Sequence, residues 1–257
     1  PKAHYPQAFP RHHTLKSPAR FPEDPKNILK PHLKQQWVIP PDASAAFFAK
    51  MEDVLEVYQR PRDPERPVVC LDETSKHLMV ETRAPIPAKP GRKARHDYEY
   101  ERNGVANLFM MCAPLEGWRH VKVIDRHTAI DYAYVLRDLS DVHFPGVVKV
   151  VLVQDNLNTH KPTSLYEAFP APEARRLVER FEWHYTPKHS SWLDMAESEL
   201  GVLASQCLDR RIADKKILAH QVNAWQKHRN KHHAKANWQF KTADARVKLK
   251  RLYPQFE

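Results

Sequence analysis

Glycine is scarce in this chain: five in 257 residues. A nucleotide-binding P-loop needs clustered glycines to bring backbone N–H groups against phosphate, so that class is excluded. Cysteine is scarcer still. Cys70, Cys112 and Cys207 lie far apart with no paired short spacing. That argues against a zinc knuckle and a disulfide framework, and it fits a reducing cytoplasm. The 16 histidines do not restore a zinc site, because "RHH" (11–13) and "KHH" (231–233) have no Cys or acid at matching spacing. No stretch is apolar and long enough to span a bilayer, so no membrane partner is expected. The N-terminus also lacks the basic-then-apolar layout of a signal peptide. The chain starts at Pro1 without a methionine, and the expectation is that an upstream part is missing.

Positive charge is abundant. The formal balance is +10 with a pI near 9.5. Between His220 and Tyr253 there are nine Lys or Arg and one acid, Asp244, so most of the surplus lies near the C-terminus. A concentrated basic segment reads as a footprint for a polyanion, most often nucleic acid. A solvated terminal helix is the plainer reading. Lys227, Arg229, Lys231, Lys248 and Arg251 are the candidate DNA-contacting cations here. Trp225, Trp238 and Phe240 lie among them, suited either to stacking on bases or to anchoring a helix.

Proline marks the other end: 15 of 22 fall in the first ninety residues. Residues 1–40 read as a Pro-rich arm or linker and 41–62 as a linking helix, capped by Asp42 or Ser44. Strand patterns follow in "PVVCLDET", with "KHLMVE" as its expected hairpin partner, then in "GVANLFMMCAP" and "RHVKVID". The segment "RAPIPAKPGRKARHDYEYER" reads as a long polar loop. A helix over "HTAIDYAYVLRDLSDV", the apolar strand "VVKVVLVQDN", two short helices, the strand "FEWHYTP" and the helix "SSWLDMAESELGVLASQCLD" complete the pattern. This order predicts an α/β fold, a mixed sheet flanked by helices over 63–212, with a basic helical extension over 213–257 packed on it. An RNase H-like fold suits the order, as do other three-layer folds.

Side chains alternate along a strand, so Val68, Cys70 and Asp72 share a face, as do Val151, Val153 and Asp155. Each of two buried strands thus ends in an Asp on its apolar side. In the later helix, Leu193, Ala196, Leu200, Leu203, Ala204 and Cys207 form a stripe at the 3.6 period. Glu197 lies at the edge of that stripe, whereas Asp194 and Glu199 are expected to point away from it. Carboxylates drawn together repel one another unless a hard divalent cation joins them, and oxygen-only ligands select Mg²⁺ or Mn²⁺. Paired ions in such a cage activate a nucleophile and stabilise the leaving oxygen of a phosphodiester. Among neighbours, Glu73 points to the face opposite Asp72 and is a candidate for a supporting or structural role. Asn156 and His160 are candidates for a supporting role or for turn hydrogen bonds, and Lys188 and His189 for DNA contact.

The blocks "CLDET", "QDNLNTH" and "HYTPKHSSWLDMAESEL" resemble the three catalytic blocks of DDE transposases in the insertion sequence 630 branch of the Tc/mariner superfamily. The resemblance runs from about Leu29 to near the C-terminus. It implies an RNase H-like catalytic domain with Asp72, Asp155 and Glu197 as a triad holding two Mg²⁺, for which Mn²⁺ substitutes. It further implies cleavage of transposon-end DNA and joining of the 3′-OH to target DNA, by a homodimer on DNA in the nucleoid of a bacterial cytoplasm. Three departures stand out. The Asp155-to-Glu197 gap is 42 positions against a usual thirty-odd. Asp194 stands where such relatives carry Asn. The helix-turn-helix region expected upstream is represented only by the Pro-rich stretch. Two further readings stay open, a nuclease of the same fold without strand transfer and a catalytically idle DNA-binding or dimerisation remnant.

Overall fold

Strand and helix follow from where the β-branched and apolar residues fall. The computed structural model describes residues 44–188 and 190–253, so the expected arm at 1–40 lies outside the described residues. Among these, strands β1 (Val68–Glu81), β2 (Tyr100–Ala113), β3 (Trp118–Ile124), β4 (Val150–Gln154) and β5 (Phe181–Tyr185) form one sheet in the order β3-β2-β1-β4-β5. β1, β4 and β5 run parallel, while β2 is antiparallel to β1 and β3. β4 is buried along its whole length, as a parallel strand covered on both faces must be, and this explains its unbroken apolar run.

The hairpin expected within β1 does not form. "PVVCLDET" and "KHLMVE" are one 14-residue strand, because Thr74 and Ser75 are weak turn formers with no Gly or Pro beside them and the ladder to β2 continues past them. The turn comes later, where Pro and Gly accumulate. Residues 82–99 form an exposed loop held by the bridges Ile86↔Arg95 and Lys89↔Arg92. Tyr100 to Arg102, read as part of that loop, already belong to β2.

Helix α1 (Ala45–Gln59) starts at Ser44, whose hydroxyl accepts the Phe47 N–H. Helix α2 (Ala129–Asp138) starts with a capping box between Thr128 and Asp131. Then come α3 (Thr163–Ala168), α4 (Ala171–Arg180), α5 (Met195–Leu203), α6 (Lys215–Lys231) and α7 (Thr242–Lys248). Alternation assigns each strand residue to one of two cores. Val69, Leu71, Val150 and Leu152 face α2, α3 and α4 through Tyr132, Leu136, Leu165 and Leu177. Cys70, Val151 and Val153 face α1, α5 and α6 through Met51, Leu55, Leu200 and Val222. Each such fully buried aliphatic side chain contributes roughly 1.5–3 kcal/mol. No helix among the described residues is long and apolar enough to cross a membrane.

Helix α6 closes the free edge of β3. Gln226 Oε1 accepts the Val121 N–H at 2.9 Å, and Asn230 accepts from the Arg119 N–H at 2.9 Å while donating to its carbonyl at 2.8 Å. Side-chain amides there do what another strand would do. Trp225 and Phe240 are buried and Trp238 packs against the same core, so these three rings anchor the C-terminal segment and are not free to stack on bases.

Candidate active site

The parallel register of β1 and β4 ends at Leu71↔Gln154. One step further stand Asp72 and Asp155, side by side on the face that α5 covers. The strand pattern that buries Cys70 and Val153 thereby carries two carboxylates to one place. Glu197, in the first turn of α5, joins them: Asp72, Asp155, Asp194 and Glu197 line one cleft of about 370 Å³, together with Asn156, Lys188, Thr186 and Ser190. Asp72 and Glu197 also line an adjoining groove of about 720 Å³ that runs toward Lys76 and Asp209.

Asp72 is pushed up to about 7, chiefly by burial. The Glu73 N–H, 2.9 Å from its Oδ1, opposes this, while the charges of Glu73, Asp155 and Glu197 add to it. That is the signature of acids gathered without a counter-ion. The donor set fits a hard divalent ion, being oxygen-only on the cleft wall. Among the described residues no three acids, histidines or cysteines are close enough to make a ready-formed cage. Asp72, Asp155 and Glu197 share a cleft, and an ion drawing them together would complete the ligand set.

His160 connects the cleft to the opposite face of the sheet. It is buried, its Nδ1 hydrogen-bonded to Asp155 Oδ1 and its Nε2 2.9 Å from Glu73 Oε2. Burial alone would lower its pKa, but the Asp155 and Glu73 carboxylates outweigh burial and raise it to about 9. An imidazolium donates from both nitrogens, which is what two flanking carboxylates require. The ring stacks on Tyr132 at 4.7 Å. The Tyr132 hydroxyl donates to Gln154 Oε1 at 2.7 Å, and Gln154 Nε2 donates to the His160 carbonyl at 3.0 Å. Glu73, on the face opposite Asp72, thus supports Asp155 through His160.

The expectation that Asp194 and Glu199 point away from the core is overturned. Asp194 is 2 % exposed and lies just outside the helical period as the N-cap, its Oδ1 accepting the Ala196 N–H at 2.7 Å. Its Oδ2 is buried without a hydrogen-bond partner. Burial first, then the charges of Cys70 and Asp72, hold this carboxyl well above the usual range. The pattern D-x-x-E over 194–197, an N-terminus signature, was the available signal for it. Glu199 is buried because α6 and β3 cover the second side of α5: its Oε1 lies 3.0 Å from Arg119 Nε and 2.8 Å from Arg229 Nε.

Arg229, a candidate for DNA contact, is therefore turned inward, with its side chain 13 % exposed and its guanidinium 5.6 Å from the Trp225 ring. Lys227, Lys231, Lys248 and Arg251 are exposed, Lys248 lying 5.2 Å from the Phe240 ring. Lys188 is exposed on the cleft wall, Asn156 is exposed beside Asp155, and His189 lies outside the described residues.

A mixed sheet layered between helices, with acids where the parallel pairing of two adjacent strands stops and on a facing helix, defines an RNase H-like α/β domain. Solved structures share this fold. The Mos1 strand transfer complex matches with a TM-score of 0.52 at 16% identity, over 79% of this chain and 59% of that one. The mariner Mos1 paired-end complex with Mg matches at 0.53 and 16%, over 90% and 68%, and the one with Mn at 0.52 and 16%, over 81% and 62%. The chain thus spans about three fifths of the length of the first of these. No curated protein matches the chain in sequence. Residues 67–219 match the family model of the DDE superfamily endonucleases, and the chain belongs to that family.

Proposed function

We propose that this chain is a DNA transposase catalytic domain that cleaves phosphodiesters at transposon ends and joins the freed 3′-OH to target DNA. The observation that carries the reading is the pairing of Asp72 and Asp155 at neighbouring parallel strands, with Glu197 across the cleft. Asp72, Asp155 and Glu197 would hold two divalent ions, Mg²⁺ with Mn²⁺ as substitute. Bound there, the ions supply a deprotonated nucleophile and neutralise charge at the scissile phosphate. The chain's own residues do the rest. His160 fixes Asp155, the α5 cap sets where Glu197 projects, and Lys188, Lys227, Lys231, Lys248 and Arg251 hold the DNA backbone by charge. Support for DNA as partner comes from the family, the basic C-terminal segment and the Mos1 complexes of like fold. The division into an arm (1–40), a linking helix (41–62), a catalytic domain (63–212) and a basic extension (213–257), acting as a homodimer on DNA at a bacterial nucleoid, is part of this reading.

A strand-transfer assay with Mg²⁺, run on pre-cleaved and on intact end DNA, tests it. Joined product is expected from the wild type. Asp72→Ala, Asp155→Ala and Glu197→Ala should each abolish cleavage yet keep salt-sensitive DNA binding. Cleavage without joining would make the chain a nuclease, and binding without chemistry in any form would make it an idle remnant.

A further inference from the structure

We infer that Asp194 is a fourth metal-binding carboxylate of the cleft, its buried, unpartnered Oδ2 serving as a ligand beside Asp72, Asp155 and Glu197. This rests on the metal-dependent reading above. Asp194 does two separable things. One oxygen caps α5 by accepting the Ala196 N–H at 2.7 Å. The other has no hydrogen-bond partner although the residue is 2 % exposed and lines the cleft with the three acids. A helix cap needs only the first oxygen, and an Asn or Ser supplies it equally well. Leaving a carboxylate oxygen buried and unpaired costs more than leaving an amide so, and a cation in the cleft removes that cost.

The charge balance points the same way. Three carboxylates leave two divalent ions with a residual positive charge until a phosphate arrives, whereas four neutralise them before DNA binds. Asp194 therefore equips the protein to hold its ions in the absence of DNA. An Asn in its place keeps the cap and shifts ion binding onto the DNA complex.

The test is Mn²⁺ binding to the DNA-free 257-residue protein, followed by electron paramagnetic resonance of the free ion. Asp194→Asn and Asp194→Ser, both cap-competent, should weaken Mn²⁺ binding about ten-fold. Their metal-free unfolding temperature should not fall, which separates ligand loss from misfolding, and Asp72→Asn should also weaken binding. If Asp72→Asn loses Mn²⁺ while both Asp194 variants bind it as the wild type does, Asp194 is a helix cap only and the inference is overturned. If the DNA-free wild type binds no Mn²⁺, the inference alone is overturned, whereas if Asp72→Asn binds it unchanged, the metal-dependent reading itself fails and takes this inference with it.

Discussion

Replacing His160 by glutamine would leave Asp155 and Glu73 facing a neutral side chain where an imidazolium now joins them. Groups that orient a metal ligand from behind are typically worth 10–100-fold in affinity or activity. His160→Gln should therefore lower the metal-dependent cleavage rate by about that factor while DNA binding stays unchanged. Single-turnover cleavage would measure it, and a wild-type rate would remove His160 from any supporting role. A second histidine works with the opposite sign. His120 is lowered from 6.5 to about 4, first by burial and then by His143, whose ring lies 4.4 Å away. The unfolded chain takes up a proton below 6.5 that the folded chain refuses until about 4, so acidification across that window favours unfolding. Thermal melts from pH 7 to 4 should fall more steeply for the wild type than for His120→Gln. Parallel slopes would show that His120 does not carry this linkage.

At the scale of elements, α5 is covered on two sides, and the Arg119–Glu199–Arg229 cluster bonds it to β3 and α6. Breaking a buried ion pair by deleting one partner costs about 3–5 kcal/mol, since the remaining charges keep their desolvation penalty. Glu199→Ala should lose stability of about that size in urea melts, and a loss below about 1 kcal/mol would contradict the burial argument. The same covering explains what was legible in the sequence. Alternation correctly put Val68, Cys70 and Asp72 on one face, and Val151, Val153 and Asp155 likewise, because a strand's period is fixed by its backbone. The stripe arithmetic on α5 placed Glu197 at the cleft. It failed for Asp194, which precedes the first helical residue, and for Glu199, whose second packing surface comes from residues thirty positions later in sequence. Nor did the basic segment reveal that Arg229 turns inward, since charge counts carry no direction. Lys227 and Lys231 do reach solvent, and replacing both by Ala should reduce the slope of DNA affinity against salt by about one per lysine. An unchanged slope would place the DNA elsewhere.

For the whole molecule, α6 matters as a seal as much as a charged surface. Gln226 and Asn230 satisfy the outer edge of β3 by three hydrogen bonds, each worth roughly 0.5–1.5 kcal/mol. The double variant Gln226→Ala with Asn230→Ala should uncover unpaired strand groups and promote edge-to-edge association. Light scattering should rise with protein concentration, and a monodisperse variant would count against the seal. The topology of the sheet also bears on time. Asp72 lies on a strand whose parallel neighbour, β4, emerges only after β2, β3 and α2 have been made. α5 and the sealing helix follow later still. At a synthesis rate of about 5–20 residues per second, an interval on the order of ten seconds separates Asp72 from Glu197. For most of that interval the nascent chain carries Asp72 alone, then Asp155 beside it with Glu197 still to come, and its β3 edge is open. A cleft of this topology cannot assemble before α5 has been made.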